Sequence, residues 1–191
     1  MATATTQPTR IFAGGAYYKT NVKNFKGGLF RTTPERGEWE TMTKGLPENP
    51  ESRIVRFHPT DPNVVYAGTQ DGVYRSLNGG DTWERTGFPV KGAIVWSLAF
   101  HPANPKIMYA GLAPVGVYRS DDGGDNWRKL ENAKTPEYCP MSFPTRTIGI
   151  AIDPVKPDEL YVALEVSGVL HSRDGGETFT DVTRSEEHTF E

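Results

Sequence analysis

Two groups of side chains in this sequence could hold a ligand or act on one. Aromatic rings and cationic side chains can hold a sugar or an acidic group, and the candidates of this kind are Tyr17, Tyr18, Arg53, Trp96, Tyr138, Phe143 and Arg146. Hydrolysis of a glycosidic bond uses two carboxylates, one on either side of the bond that breaks. The candidates for that chemistry are Asp71, Glu137 and Glu165. The sequence establishes no pairing among these carboxylates, so it assigns no catalytic residue.

Other kinds of site find little support in the sequence. His58 and His101 lie in matching "FHP" turns of different repeats, and Asp153 takes their place in a third repeat, so we expect no metal site. Cys139 is the single cysteine, has no nearby histidine to activate it, and is interpreted as a free thiol. No phosphate-binding loop of the G-x-x-x-x-G-K-[ST] kind occurs. We therefore predict no cofactor.

The composition excludes several classes of partner. The 191 residues carry a formal net charge of −3, which does not favour nucleic acid or an anionic membrane. No apolar run approaches the ~20 residues of a membrane-spanning helix. The first ten residues lack the apolar segment of a signal peptide. We expect a cytoplasmic protein, with its thiol in a reducing compartment, that binds neither nucleic acid nor membranes.

An eight-residue stretch occurs three times. The sequence "SLNGGDTW" (76–83) returns as "SDDGGDNW" (120–127) and as "SRDGGETF" (172–179). Trp83 and Trp127 are 44 residues apart, and Trp127 and Phe179 are 52 apart. A repeat of roughly 40–50 residues is the period of a β-propeller blade, which consists of four short strands.

Each repeat predicts four strands, A to D, which are rich in β-branched and aromatic residues. In the second blade strand A is "IVRFH" (54–58), strand B "VVYAG" (64–68) and strand C "GVYRS" (72–76), and strand D begins at Trp83. Strand D of the next two blades is expected to begin at Trp127 and Phe179. A degenerate first unit, from Ile11, lacks strand A. We predict an all-β, truncated propeller of antiparallel blades at roughly 11–45, 53–88, 94–132 and 146–183.

The repeated stretch is predicted to be the turn between strands C and D. Asn78, Asp122 and Asp174 can accept hydrogen bonds from backbone N–H groups of the loop. The paired glycines permit a positive φ, and the final aromatic ring can cover the turn. The positions with this structural role are Ser76, Asn78, Gly80, Trp83, Ser120, Asp122, Gly124, Trp127, Ser172, Asp174, Gly176 and Phe179.

These three turns resemble the Asp-box, or BNR, repeat, whose consensus is S-x-D-x-G-x-T-W. Sialidases, sortilin-type receptors, some xyloglucan hydrolases and a photosystem II assembly factor carry this repeat. The resemblance covers about residues 11–183 and implies a propeller. It does not imply an activity, because the box is a structural turn in all these families. The three arginines, the Tyr–Glu pair and the Asp that sialidases use cannot be placed in this sequence.

The order of the strands assigns each loop to one of two faces. Strand A lines the central channel, so A–B and C–D turns share one face, and D–A connections and B–C turns share the other. A ligand site is expected on the second face, where loops vary. The long connection 128–147 forms part of a ligand-binding rim or packs its aromatics on a neighbouring blade. The segment 16–27 is either a ligand-binding loop or a solvated one. Asp71 and Glu165 lie in turns that could be purely structural.

The two ends of the sequence are interpreted separately. Residues 1–10 are expected to form a tail. Residues 184–191, "RSEEHTFE", resemble a translated sequencing adapter, so we expect them to be non-native and the natural chain to continue. A fragment of a ring of six to eight blades would expose unpaired strand edges, through which it could self-associate.

The sequence thus favours one function and leaves a second open. The favoured function is a binding or scaffolding module for a protein or glycan partner. The alternative is a glycoside hydrolase of the sialidase-like or xyloglucanase-like kind.

Overall fold

The computed structural model describes residues 9–15, 27–134 and 144–183, which form four antiparallel sheets. Blade one contains β1 (Ile11–Gly15), β2 (Gly28–Thr32) and β3 (Glu40–Met42). Blade two contains β4 (Ile54–Phe57), β5 (Val65–Thr69), β6 (Gly72–Ser76) and β7 (Glu84–Arg85). Blade three contains β8 (Ile94–Phe100), β9 (Met108–Ala113), β10 (Val117–Ser120) and β11 (Arg128–Lys129). Blade four contains β12 (Thr147–Ile152), β13 (Leu160–Leu164), β14 (Gly168–Ser172) and β15 (Thr180–Asp181).

The strands pair in sequence order within every blade, as the propeller prediction requires. The all-β class is confirmed, and the sheet of blade one contains three strands within residues 9–15 and 27–42, the part of this blade that the structure describes. The expected start of strand D was wrong by one residue, because strand D follows Trp83, Trp127 and Phe179 in the three complete blades. The two tryptophans belong to the turns instead, where each indole Nε1 donates to a glycine carbonyl of its own turn. No helix of the described residues is long and apolar enough to cross a membrane.

The hydrophobic core lies between the blades. Alternate residues of a strand point to opposite faces, so Val65 and Ala67 pack against blade one, whereas Tyr66 packs against blade three. Three such clusters join blades one and two, two and three, and three and four. Each blade therefore depends on its neighbours to bury both faces of its sheet.

The three C–D turns share one hydrogen-bond pattern. In blade three the Ser120 hydroxyl accepts from the Gly124 N–H at 2.8 Å and donates to Asp122 Oδ1 at 2.9 Å. Asp122 Oδ1 also accepts from the Asn126 N–H at 2.9 Å. The other two turns repeat these bonds, with Asn78 in the place of Asp122 in blade two. All three turns thus contain the same set of side-chain hydrogen bonds.

A second pattern joins each turn to the preceding blade. We call the carbonyl of the first glycine in each turn, in Gly79, Gly123 or Gly175, the box carbonyl. Tyr66 Oη and Arg75 Nη1 of blade two donate to the box carbonyl of Gly123 at 2.8 and 3.2 Å. Tyr109 Oη and Arg119 Nη1 of blade three donate to that of Gly175 at 3.0 and 2.9 Å.

Blade one follows the same pattern with one of the two donors. Arg31 Nη1 donates to the box carbonyl of Gly79 at 2.7 Å. Phe12 stands at the tyrosine position, and its ring packs edge-on against Trp83. We call the strand-B aromatic and strand-C arginine together the latch.

Loss of the central turn acceptor should destabilise the fold without disturbing the opposite face. Asp122→Ala removes the acceptor of the Asn126 N–H and of the Asn126 side chain. We expect the free energy of unfolding to fall by about 1–2 kcal/mol. Urea unfolding measures this, with Lys106→Met, an exposed side chain on the same face, as the control. Equal effects of the two substitutions would contradict the structural role of Asp122.

Asp174 should make the stability depend on pH in acid. Hydrogen bonds from the Thr178 hydroxyl and N–H lower the pKa of this carboxylate to about 2, below the ~3.9 of an unfolded aspartate. Because the folded-state pKa is depressed, this stabilisation is present above about pH 4 and is lost as the pH falls towards 2. Asp174→Asn keeps an acceptor oxygen, as Asn78 does in blade two. We expect this variant to lose stability less steeply over that pH range. Urea unfolding at stepped pH measures the slope, and a slope equal to that of the wild type would refute the assignment.

Candidate functional site

The candidate site lies at the end of the channel opposite the box turns. In each C–D turn the N–H of the first glycine donates to a backbone carbonyl of the A–B turn in the same blade, and these carbonyls belong to Asn63, Lys106 and Asp158. The A–B turns and the C–D turns therefore share one face, as predicted. The inner strands β4, β8 and β12 begin at the other face. Arg53 directly precedes β4, Trp96 lies near the start of β8, and Arg146 directly precedes β12.

The local backbone orients these three side chains. Trp96 is the extra residue of a β-bulge between Val95 and Ser97, where β8 pairs with β9. A bulge redirects a side chain that regular pairing would place elsewhere. The Arg53 N–H donates to the Gly68 carbonyl at 2.9 Å, and the Arg146 carbonyl accepts from the Glu165 N–H at 2.8 Å. Both arginines are thereby fixed to the strand that follows in their own blade.

The structure brings Arg53, Trp96 and Arg146 together. The guanidinium carbons of Arg53 and Arg146 each lie 4.4 Å from the centroid of the Trp96 ring. The two arginines belong to blades two and four, on either side of blade three, so the indole lies between them. A guanidinium over an indole face is a favourable cation–π contact. Three blades thus meet in one contact at the channel mouth.

Two glutamates complete this group. Glu51 Oε2 accepts from Arg53 Nη2 at 2.8 Å, and Glu165 Oε1 accepts from Arg146 Nη1 at 3.1 Å. The side chains retain between 11% and 28% of their exposure, with Arg53 the most buried and Arg146 the most exposed. We call Glu51, Arg53, Trp96, Arg146 and Glu165 the mouth cluster. Its formal charges balance.

Some polar atoms in and beside the mouth cluster remain unpaired. Trp96 Nε1, Glu165 Oε2 and Ser52 Oγ are buried and have no hydrogen-bond partner among the described residues. Most buried polar groups in proteins are hydrogen-bonded. The indole N–H and the two oxygens thus lack the hydrogen bonds that buried polar atoms normally make within a protein.

Carboxylates on this face are held by arginines rather than by one another. Asp71 accepts from the Tyr74 hydroxyl at 3.1 Å and from the Gly92 N–H at 3.0 Å, and lies 3.6 Å from Arg85. Burial, together with the bond to Asp71, raises the pKa of Tyr74. The structural interpretation of the "TQDG" turn is thus supported. Among the described carboxylates of this face, Glu51, Asp71 and Glu165 are each ion-paired with an arginine, and no acid–base pair of two carboxylates is formed.

Several predicted residues fall outside the described residues. These are Tyr17, Tyr18, Glu137, Tyr138, Cys139 and Phe143, in the two loops that sequence analysis assigned to this face. Glu51 is the member of the mouth cluster that sequence reasoning missed. Its signal was available, because Glu51 stands two residues before Arg53, and side chains two apart along an extended chain point to the same side.

His58, His101 and Asp153 share a structural role. His101 Nδ1 accepts from the N–H groups of Ala103 and Asn104, and Asp153 Oδ1 accepts from those of Val155 and Lys156. An imidazole and a carboxylate thus both act as acceptors for the A–B turn, which explains why one replaces the other in the repeat. The described residues contain no group of three potential metal ligands.

Comparison with known proteins identifies the fold. The chain matches no family model, and it matches none of the curated proteins. It is similar to the GH74 xyloglucanase from Xanthomonas campestris, with 20% identity and a TM-score of 0.70 over 94% of this chain and 29% of that chain. It is also similar to a GH74 enzyme from Niastella koreensis, with 20% identity and a TM-score of 0.62 over 90% of this chain and 27% of that chain. YCF48 from Cyanidioschyzon merolae is 14% identical, with a TM-score of 0.56 over 76% of this chain and 44% of that chain.

These similarities agree with the blade topology. This chain spans 22–29% of the length of the GH74 proteins that it resembles. At such low identities the likeness concerns the fold alone. The sheet order and the solved neighbours together show that the described residues form part of a β-propeller.

The ion pair of Arg146 and Glu165 can be tested by a double-mutant cycle. Arg146→Met leaves the half-buried Glu165 carboxylate without its cation, and we expect the free energy of unfolding to fall by about 1–2 kcal/mol. Adding Glu165→Gln should recover part of this loss, which gives a coupling free energy of about 1 kcal/mol. Thermal or urea unfolding of the four proteins measures it. Strictly additive effects would show that the two side chains do not interact.

Proposed function

We propose that this propeller is a binding or scaffolding module that presents the channel mouth to a protein or glycan partner. The convergence of Arg53, Trp96 and Arg146 from three successive blades carries this proposal. Side chains that touch across several blades form a surface that no single blade provides. The unpaired Trp96 Nε1 and Glu165 Oε2 add a donor and an acceptor beside the cations.

The arrangement supports binding better than glycoside hydrolysis. A glycosidase needs one carboxyl group as an acid and a second as a base or nucleophile. Glu51 and Glu165 instead accept hydrogen bonds from arginines, and Asp71 is ion-paired with Arg85.

Arrays of glycans and peptides would test the proposed site directly. The labelled wild-type chain is applied beside Arg146→Met, Trp96→Phe and Lys106→Met. We expect binding to particular glycans or peptides that falls at least about tenfold for the two mouth variants, which corresponds to the loss of roughly one hydrogen bond to the ligand. Lys106 lies on the box face with an exposed side chain, so its replacement should leave binding unchanged.

Two outcomes would refute the proposal. One is the absence of saturable binding to any array member by the folded wild-type chain. The other is binding that Lys106→Met weakens as much as the mouth variants do. Unfolding curves recorded for each variant separate loss of the site from loss of the fold.

A further inference from the structure

The box turn of blade two differs from the other two box turns at one position. Asn78 stands where blades three and four have Asp122 and Asp174, and the residue after it is Gly79. This is the one Asn–Gly pair in the 191 residues. Asparagine is a thermolabile residue, and glycine has no side chain to hinder attack of its backbone nitrogen on the preceding carboxamide. Blade two therefore carries a reactive asparagine at a position that otherwise holds a carboxylate.

Deamidation at such a pair proceeds in two steps and consumes only water. The Gly79 nitrogen attacks Cγ of Asn78, the new C–N bond closes a five-membered succinimide, and the carboxamide nitrogen leaves as ammonia with the proton of the Gly79 N–H. Asn78 is exposed, so water reaches the ring and opens it. Hydrolysis at the former side-chain carbonyl gives aspartate, and hydrolysis at the main-chain carbonyl gives isoaspartate.

The folded turn engages both reacting groups in other bonds. The Gly79 N–H donates to the Asn63 carbonyl at 2.7 Å. Oδ1 of Asn78 accepts from the Ser76 hydroxyl and from the Thr82 N–H, each at 3.0 Å. Nδ2 of Asn78 donates to the Thr82 hydroxyl at 2.9 Å. The nitrogen cannot lose its proton, nor the carboxamide turn towards it, until these bonds break, so the reaction requires local opening of the turn.

One of the two products fits the box turn as the fold already builds it. In blade four Asp174 accepts from both the N–H and the hydroxyl of Thr178. Blade two has Thr82 at the position of Thr178, so an aspartate formed from Asn78 finds the same two donors. Isoaspartate adds an atom to the main chain of the turn and moves the carboxylate away from the Thr82 N–H. The turn therefore accommodates aspartate and excludes isoaspartate.

We propose that Asn78 is a deamidation site that the folded box turn protects, and that of the two products only aspartate lets the turn close again. Arg31 of blade one donates to the Gly79 carbonyl at 2.7 Å. Opening of this turn thus also releases a contact between blades one and two. Deamidation of Asn78 therefore marks the chains in which that interface has opened.

Peptide mass spectrometry tests the site and its protection. The chain is incubated folded and in urea at one pH and temperature, and trypsin then releases residues 76–85, between Arg75 and Arg85. Chromatography separates the asparagine, aspartate and isoaspartate forms of this peptide. We expect the reaction to be at least about tenfold slower in the folded chain than in urea, because only the opened turn reacts.

Two matched variants test the role of the carboxamide bonds. Thr82→Val removes the hydroxyl that accepts from Asn78 Nδ2 and keeps the backbone N–H. It should speed the reaction in the folded chain about fivefold, the loss of roughly one hydrogen bond, and leave the rate in urea unchanged. Thr178→Val removes the equivalent hydroxyl from blade four, and should leave both rates as in the wild type.

The product is tested by stability. Asn78→Asp should unfold at the same urea concentration as the wild type or a higher one near neutral pH, and the isoaspartate fraction purified from aged protein should unfold at a lower one. Earlier unfolding of Asn78→Asp would overturn the selection between products.

The rates give outcomes that do not depend on any variant. Equal rates for the wild type folded and in urea would overturn the protection, and faster reaction of another asparagine in urea would overturn the choice of site. No acceleration by Thr82→Val, or an equal one by Thr178→Val, would overturn the role of the carboxamide bonds. Circular dichroism verifies that each variant is folded.

Discussion

The rest of the structure depends on the backbone N–H and C=O of one glycine in each box turn. The N–H of Gly175 donates to the Asp158 carbonyl of its own blade, and its carbonyl accepts from Tyr109 and Arg119 of the preceding blade. The residue has φ +68°, and a Cβ there would lie 2.5 Å from the Arg119 guanidinium. Only glycine meets both conditions. This glycine thus ties the box turn to its own blade through the N–H and to the preceding blade through the carbonyl.

This frame leaves the opposite end of the channel free to vary. The positions equivalent to Arg53 are Trp96 in blade three and Ile148 in blade four, three side chains of unrelated chemistry. The box face repeats the same bonds from blade to blade, both within each turn and from each turn to the preceding blade. Rigid support on one face and chemical variety on the other are what a binding surface requires.

The predictable parts of the molecule were those governed by local chemistry. The turn residues and the strands between them follow from the repeat, since each box bonds mainly within eight residues. The meeting of Arg53, Trp96 and Arg146 could be expected only as three residues on one face, because their contact depends on the angle between blades. The two parts of the latch were visible as the repeated "YAG" of 66–68 and 109–111 and the repeated "YRS" of 74–76 and 118–120. Their acceptor lies on another blade, some 50 residues away in sequence.

The neutrality of the mouth cluster limits what could bind there. An anionic group can reach Arg53 or Arg146 only by competing with Glu51 or Glu165, whose bonds of 2.8 and 3.1 Å already hold the guanidinium groups. The cations also cover the faces of Trp96, so a sugar ring cannot stack on this indole while they remain in place. A ligand that both donates to Glu165 Oε2 and accepts from Trp96 Nε1 avoids both costs, because it adds bonds without breaking an ion pair. Hydroxyl and amide groups have this double capacity, and they occur in glycans and polypeptides alike.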